Sequence, residues 1–221
     1  FLKTNFDPNT KLLTNENYIH NNYSEIAEIY NAVSYGTRKF LKQIGISKMT
    51  IGVSGGIDSA LTAAFYVNLL GPGNVLLVNM PSKFNSPLTK NLALMIAKAL
   101  KCNYCIMPIQ ESVDHTNTQM TQTQIHDYES NATFSLELSP LARENIQARD
   151  RTRILAALAS AFGGGFSCNS NKAEITVGYA TFYGDLTGVL AMIGDLWKNQ
   201  VYELAHYLND KIFERKVIPD E

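Results

Sequence analysis

The chain has no excess charge of either sign. Its 221 residues carry 19 Lys and Arg against 20 Asp and Glu, for a formal net charge of −1. That balance gives no electrostatic case for nucleic-acid binding. Long apolar runs are missing too: no stretch approaches the roughly 20 residues a membrane helix needs. Cysteine is scarce, with only Cys102, Cys105 and Cys168. An odd count with no visible signal peptide points to reduced thiols and a cytoplasmic protein. Cys102-x-x-Cys105 falls in Asn103–Met107, which reads as a buried strand. Structural zinc takes four ligands, and no second Cys or His pair completes the set. The four histidines are scattered, and His20 and His126 sit in polar stretches that read as solvent-facing. Repeats and low-complexity tracts are absent. The chain starts at Phe1 rather than Met, which reads as a fragment or a trimmed chain.

With 45% hydrophobic and 18% charged residues, the composition is that of a globular domain, long enough for one α/β core. Its organising stretch is Ser54-Gly55-Gly56-Ile57-Asp58-Ser59. An apolar run, Met49 to Val53, precedes it and reads as a buried strand. Leu61 to Leu70 follows and reads as a helix, closed by Gly71-Pro72-Gly73. Glycines in such a turn let the backbone approach a bound group. The helix start offers free N–H groups and a positive dipole end, which suit phosphate. A carboxylate at Asp58 would repel phosphates unless it holds a divalent cation that bridges to them. The Walker A lysine and the G-x-G-x-x-G fingerprint are both missing. The pattern S-G-G-x-D-S resembles instead the PP-loop of enzymes that split ATP between its α- and β-phosphates.

Residues 1–22 are polar and Asn-rich and read as a lead-in or linker. From Ser24, a plausible N-cap, apolar residues recur at helical spacing as far as Gly45. Val75 to Met80 is a second strand. Ser86-Pro87 starts a helix that runs to about Lys101, with Leu92, Met95, Ile96 and Leu100 as its core face. A third strand follows at Asn103–Met107. Strands alternating with helices predict a doubly wound α/β fold: a parallel sheet flanked by helices. Residues 112–137, rich in Thr, Gln and Asn, read as a weak helix start and then a mobile surface excursion. Ser139-Pro140 starts a long helix to Phe162, with Leu155, Leu158 and Phe162 on its apolar face. Asn145, Arg149 and Arg153 form a row on another face, either a solvated stripe or a phosphate or carboxylate site. Gly163-Gly164-Gly165 ends that helix, and Phe166–Cys168 reads as a short strand. Asn171 to Glu174 opens a polar turn, Gly178 to Asp185 is an aromatic loop, and a last helix spans residues 199–208.

Several separated segments resemble one family in the same order. These are the PP-loop, Glu144-Asn145-Ile146-Gln147-Ala148-Arg149, Asn171-Lys172-Ala173-Glu174, Gly178-Tyr179 with Tyr183-Gly184-Asp185, and Ile193-Gly194-Asp195-Leu196-Trp197-Lys198. Over about residues 25–210 the chain is similar to NAD synthetases. The resemblance implies the adenine nucleotide α-hydrolase-like fold, with a synthetase domain at residues 23–221. It implies amidation of deamido-NAD by ammonia through an acyl adenylate, with ATP and Mg²⁺ as cofactors.

The resemblance also implies roles for residues. Ser54, Gly55, Gly56, Ile57, Asp58, Ser59, Asn169 and Lys198 would bind ATP. Asp58 and Glu174 would hold magnesium. Asn145, Lys172, Glu174 and Asp185 would contact deamido-NAD. Asp58, Arg149 and Lys198 would form the catalytic set. Two departures stand out: Cys168-Asn169-Ser170 replaces a common Gly-Thr-Gly, and the chain stops at Glu221, short of a family segment carrying a further Lys. The lead-in helix, with Glu28-Ile29-Tyr30-Asn31-Ala32, resembles the junction after a glutaminase domain. A glutamine-dependent enzyme with its glutaminase domain absent is therefore expected, and the same resemblance implies a homodimer or larger homo-oligomer. An ammonia-only enzyme is the alternative. A tRNA-modifying PP-loop enzyme and a non-catalytic nucleotide-binding module are further rivals.

Overall fold

A computed structural model of the chain describes residues 4–7, 12–15, 24–83 and 87–219, with side chains for 24–83 and 91–219. Two short strands, β1 (Thr4–Asp7) and β2 (Leu12–Asn15), pair antiparallel within the stretch read as a lead-in or linker. Helix α1 (Glu25–Gln43) follows. Strand β3 (Met49–Gly52) leads into α2 (Ile57–Leu70), β4 (Val75–Asn79), α3 (Pro87–Leu100) and β5 (Asn103–Ile106). Helix α4 (Gln110–Gln122), the hairpin of β6 (Ile125–Asp127) and β7 (Ala132–Phe134), and α5 (Pro140–Phe162) come next. The chain then forms β8 (Gly165–Phe166), α6 (Lys172–Val177) and α7 (Lys198–Tyr207).

Four strands make one parallel sheet in the order β5-β4-β3-β8. The pleat sends alternate residues to opposite faces. Met49 and Ile51 of β3 and Val75 and Leu77 of β4 join α2, α3 and α7 in the larger core. Val78 and Met80 face the other way and pack on Ile109 and Val113 and on Ile154 and Leu155 of α5. Helices on both faces make the sheet doubly wound. The chain builds outward from β3 to β4 and β5, then returns to place β8 on β3's other side. Such a reversal opens a crevice at the carboxyl ends of the strands, the usual ligand position in open α/β sheets.

Several elements differ from expectation. Helix α2 starts at Ile57, four residues before Leu61, because Gly56 serves as its N-cap. Asp58 and Ser59 therefore lie in its first turn. On α3 the buried residues are Ala93, Ile96, Ala97 and Leu100, whereas Met95 is 56% exposed. Ser86, the expected cap, lies outside the described residues. Strand β5 is an edge rather than a buried strand, and Ile106 is 55% exposed. Burial still raises the Cys102 thiol to about 11 and raises that of Cys105. The weak helix start expected from residue 112 is part of a 13-residue helix, Gln110–Gln122, and the stretch expected to be a surface excursion holds a hairpin. Asp127 carboxylate oxygens accept from the Glu129 and Ser130 backbone at the hairpin turn. Helix α5 matches its expected bounds, with the Ser139 hydroxyl accepting from Ala142 N. The expected strand at Phe166–Cys168 is shorter, and Cys168 bridges in parallel to Ala191.

Candidate active site

A cavity of about 350 Å³ opens at the carboxyl ends of β3 and β4. The PP-loop forms one wall. Gly55 has φ +95°, which an L side chain rarely adopts, so glycine is required there. Two serines brace the turn. Ser54 Oγ accepts from Gly56 N at 3.2 Å. Ser59 Oγ donates to Gly56 O at 3.0 Å and accepts from Ser54 N at 3.3 Å. These bonds hold the loop open at the start of α2, where unpaired N–H groups and the helix dipole favour an anion. Ser54, Asp58 and Ser59 line the cavity, while Ile57 is buried in the core beneath it.

Residues far apart in sequence converge on Asp58. Lys198 Nζ, in the first turn of α7, lies 2.6 Å from Asp58 Oδ2. Asn171 Nδ2 donates to Asp58 Oδ1 at 2.9 Å. Asn171 is only 2% exposed and is also the N-cap of α6. Its Oδ1 accepts from Ala173 N and Glu174 N, and its own N–H donates to Glu174 Oε2 at 3.1 Å. This reciprocal capping box fixes Glu174 while the same amide fixes Asp58. Burial raises the Glu174 carboxyl above its ordinary value, the Asn171 N–H and the Lys198 charge oppose this, and the charges of Asp58 and Asp185 add to the rise. The three acidic groups line one cavity, and Lys198 offsets only part of their negative field.

The opposite wall comes from the segment after β8 and from α5. Asn169 lines the cavity, but both ends of its amide serve the fold. Its Nδ2 donates to Gly52 O at 2.8 Å, and its Oδ1 accepts from Ser167 Oγ at 2.7 Å. It therefore joins the end of β3 to the neighbouring chain. Asn145 and Arg149 are not among the cavity's lining residues and hold the aromatic loop instead. Asn145 Oδ1 accepts from Thr181 Oγ1 at 2.7 Å, and Arg149 Nε donates to Phe182 O at 3.1 Å. Asp185 lines the cavity, and its Oδ1 accepts from Thr181 N at 2.6 Å. Lys172 stands over the Trp197 ring, 5.0 Å from its centroid. Arg153 turns away and bonds Asp150 and Ser112. The structure therefore brings together Ser54, Asp58, Ser59, Asn169, Glu174, Asp185 and Lys198. It places Asn145, Arg149 and Lys172 around the rim.

Two site residues escaped the sequence reading. Asn171 carried a signal, since an N-capping amide with Glu three positions on is a capping box. Arg151 carried none, because it lies outside the four-residue row of Asn145 and Arg149 and still reaches the cavity.

The NAD synthase family model matches residues 29–221. The chain belongs to the NAD synthase family. It is 40% identical over 195 residues to the glutamine-dependent NAD(+) synthetase of Synechocystis, covering 87% of this chain and 32% of that protein. The Aquifex aeolicus enzyme of the same name is 37% identical over 194 residues, covering 86% and 32%. The chain thus spans about a third of the length of these relatives. Among solved structures, the glutamine-dependent NAD+ synthetase of Acinetobacter baumannii in complex with ADP superposes with a TM-score of 0.79. It is 32% identical and covers 98% of this chain and 39% of that one. The NH3-dependent NAD synthetase of Campylobacter jejuni superposes with a TM-score of 0.72, at 28% identity, covering 85% and 75%. Among the described residues, no helix is long and apolar enough to cross a membrane.

Proposed function

We propose that this NAD synthase-family chain amidates deamido-NAD to NAD at the expense of ATP, releasing AMP and pyrophosphate. The observation that carries the reading is the convergence of Asp58, Asn171, Glu174 and Lys198 beside a braced PP-loop. In this reading the first-turn N–H groups of α2, with Ser54 and Ser59, hold the β- and γ-phosphates. A carboxylate oxygen of the nicotinate attacks the α-phosphorus, and the bond to the bridging oxygen breaks. Pyrophosphate leaves with the electron pair. Ammonia then adds to the acyl carbon, loses a proton, and expels AMP. The protein aligns the two reactants and offsets charge where it develops, with no covalent intermediate on the chain.

Asp58 and Glu174 fit a magnesium ion. Both are oxygen donors on the cavity wall, as a hard cation requires, and the shared negative field around Glu174 is one a cation relieves. The ion, when bound, supplies positive charge to the phosphate oxygens. Lys198, beside Asp58 in this structure, would supply a second positive charge to the nucleotide. The loop held by Asn145 and Arg149, with Lys172 and Asp185, forms the dinucleotide side.

The glutamine-dependent relatives support ammonia drawn from glutamine by a glutaminase domain of the whole protein. A cytoplasmic homodimer or larger homo-oligomer is proposed with it, on the resemblance alone. The likeness to the NH3-dependent Campylobacter enzyme favours free ammonia as a second reading. NAD formation from ATP, magnesium and deamido-NAD, with ammonium or glutamine as donor, tests the synthetase reading, and glutamine-driven turnover by the whole protein separates the two nitrogen sources. Turnover with ammonium and none with glutamine means that this chain is a synthetase unit without its own glutaminase. Pyrophosphate release that does not depend on deamido-NAD would contradict the assignment.

A further inference from the structure

Arg151 is the only cationic side chain among the residues lining the cavity; the other charged ones are Asp58, Glu174 and Asp185. The neighbouring cations are committed elsewhere. Lys198 is paired with Asp58, Arg149 is bonded to Phe182 O, and Arg153 is bonded to Asp150 and Ser112. Among the described residues no hydrogen bond or ion pair within 4.0 Å engages the Arg151 guanidinium. Its half-burial lowers its pKa, against the pull of Asp150 and Asp185. Arginine stays charged under such a shift. The fold therefore holds a partly desolvated fork of N–H donors with no fixed acceptor.

The position narrows what that fork can meet. Arg151 lies on α5 between Ala148 and Thr152, and both of these also line the cavity. Thr152 Oγ1 donates to Gly184 O at 2.7 Å, so this turn of α5 is locked to the segment carrying Asp185. Ser54 and Ser59 lie on the PP-loop side of the same cavity. The arginine thus shares one cavity with the PP-loop serines and with the segment carrying Asp185.

Resting on the function proposed above, we infer that Arg151 binds the α-phosphoryl group of ATP and keeps hold of it in the acyl adenylate and AMP. A guanidinium grips two phosphoryl oxygens at once, which an ammonium cannot match. As the nicotinate oxygen bonds to phosphorus and pyrophosphate departs, the charge on the non-bridging oxygens stays beside a fixed cation. Arg151 is then a catalytic residue of the adenylation step.

The test compares AMP, adenosine and deamido-NAD binding, by ligand-observed NMR, to the wild-type chain and to Arg151→Gln and Arg151→Lys. The inference expects AMP affinity to fall at least tenfold in Arg151→Gln, with adenosine and deamido-NAD affinities unchanged. Arg151→Lys recovers part of the AMP affinity. The preference for AMP over adenosine does not move if the arginine is merely structural, and thermal melting shows that each variant is folded. An unchanged AMP-to-adenosine ratio overturns the inference alone. Loss of deamido-NAD binding with AMP binding retained also overturns it, since the fork then serves the carboxylate. A wild-type chain that binds neither AMP nor deamido-NAD removes the proposed function, and this inference with it.

Discussion

Lys198 Nζ lies 2.6 Å from Asp58 Oδ2, joining the first turns of two helices 140 residues apart in sequence. An ammonium thus occupies one oxygen of the carboxylate proposed to hold magnesium. Both partners keep some solvent exposure, so the pair is worth at most about 1 kcal/mol. Lys198→Met should therefore bind Mn²⁺ up to roughly fivefold tighter than wild type in the absence of nucleotide, measured by electron paramagnetic resonance. The same variant should lose pyrophosphate release by about a hundredfold or more. Asp58→Ala should lose that activity while melting near the wild-type temperature. Weaker Mn²⁺ binding in Lys198→Met would mean that the lysine helps to build the metal site.

Asn171 ties Asp58 and Glu174 together while capping α6. Asn171→Ala removes the cap and leaves buried neighbours unpaired, at a cost of about 1–3 kcal/mol. Asn171→Ser keeps a capping acceptor without adding a carboxylate beside Asp58, and loses the donor to Asp58. It should therefore unfold at a denaturant concentration closer to wild type, yet be as inactive as the alanine variant. Full activity in Asn171→Ser would separate the amide from the chemistry.

Burial raises the Glu174 carboxyl above its unfolded value. The folded chain then holds that proton more tightly than the unfolded chain does, so stability falls as pH rises through the interval between the two values. The interval starts at about 4.3, the ordinary Glu value. Relative to Glu174→Gln, wild type should lose stability in urea unfolding as pH rises above the ordinary Glu value. The glutamine still accepts from Asn171 N, so the cap survives. A stability difference that stays flat across this range, or grows in favour of wild type, would contradict the burial effect.

Asn145 holds the aromatic loop through Thr181. Asn145→Ala should raise the KM for deamido-NAD about tenfold or more, because loop placement carries the dinucleotide side. The KM for ATP should change less than twofold. Equal rises in both constants would place the loop over the whole cavity instead.

The sheet was legible because its signals are local. Apolar strands at Met49 and Val75, Gly-rich turns and the Ser139-Pro140 start each declare themselves within a few residues. Helix α5 followed its cap and its Gly163 stop on both ends. Helix α2 was placed four residues late, because Asp58 and Ser59 look like loop residues and only the Gly56 cap brings them into a first turn. The β6-β7 hairpin was missed because its strands are three residues each, too short to show a period-2 apolar pattern. Within the site, residue types chosen for their chemistry (Asp58, Glu174, Lys198) do converge. The bonds that fix them do not show in the sequence: Asn171 reaches back 113 positions to Asp58, and Asn169 reaches 117 positions to Gly52. Arg149 and Arg151 are indistinguishable by type, and only the helix phase puts one on the rim and the other in the cavity.

The most direct test follows the oxygen atoms. Deamido-NAD labelled with ¹⁸O in its nicotinate carboxylate is converted with ATP, magnesium and ammonium, and the products are read by mass spectrometry. Attack of the carboxylate on the α-phosphorus predicts one ¹⁸O transferred to the phosphate of AMP and none to pyrophosphate. Label in inorganic phosphate, or NAD formed with unlabelled AMP, would contradict adenylation at this site.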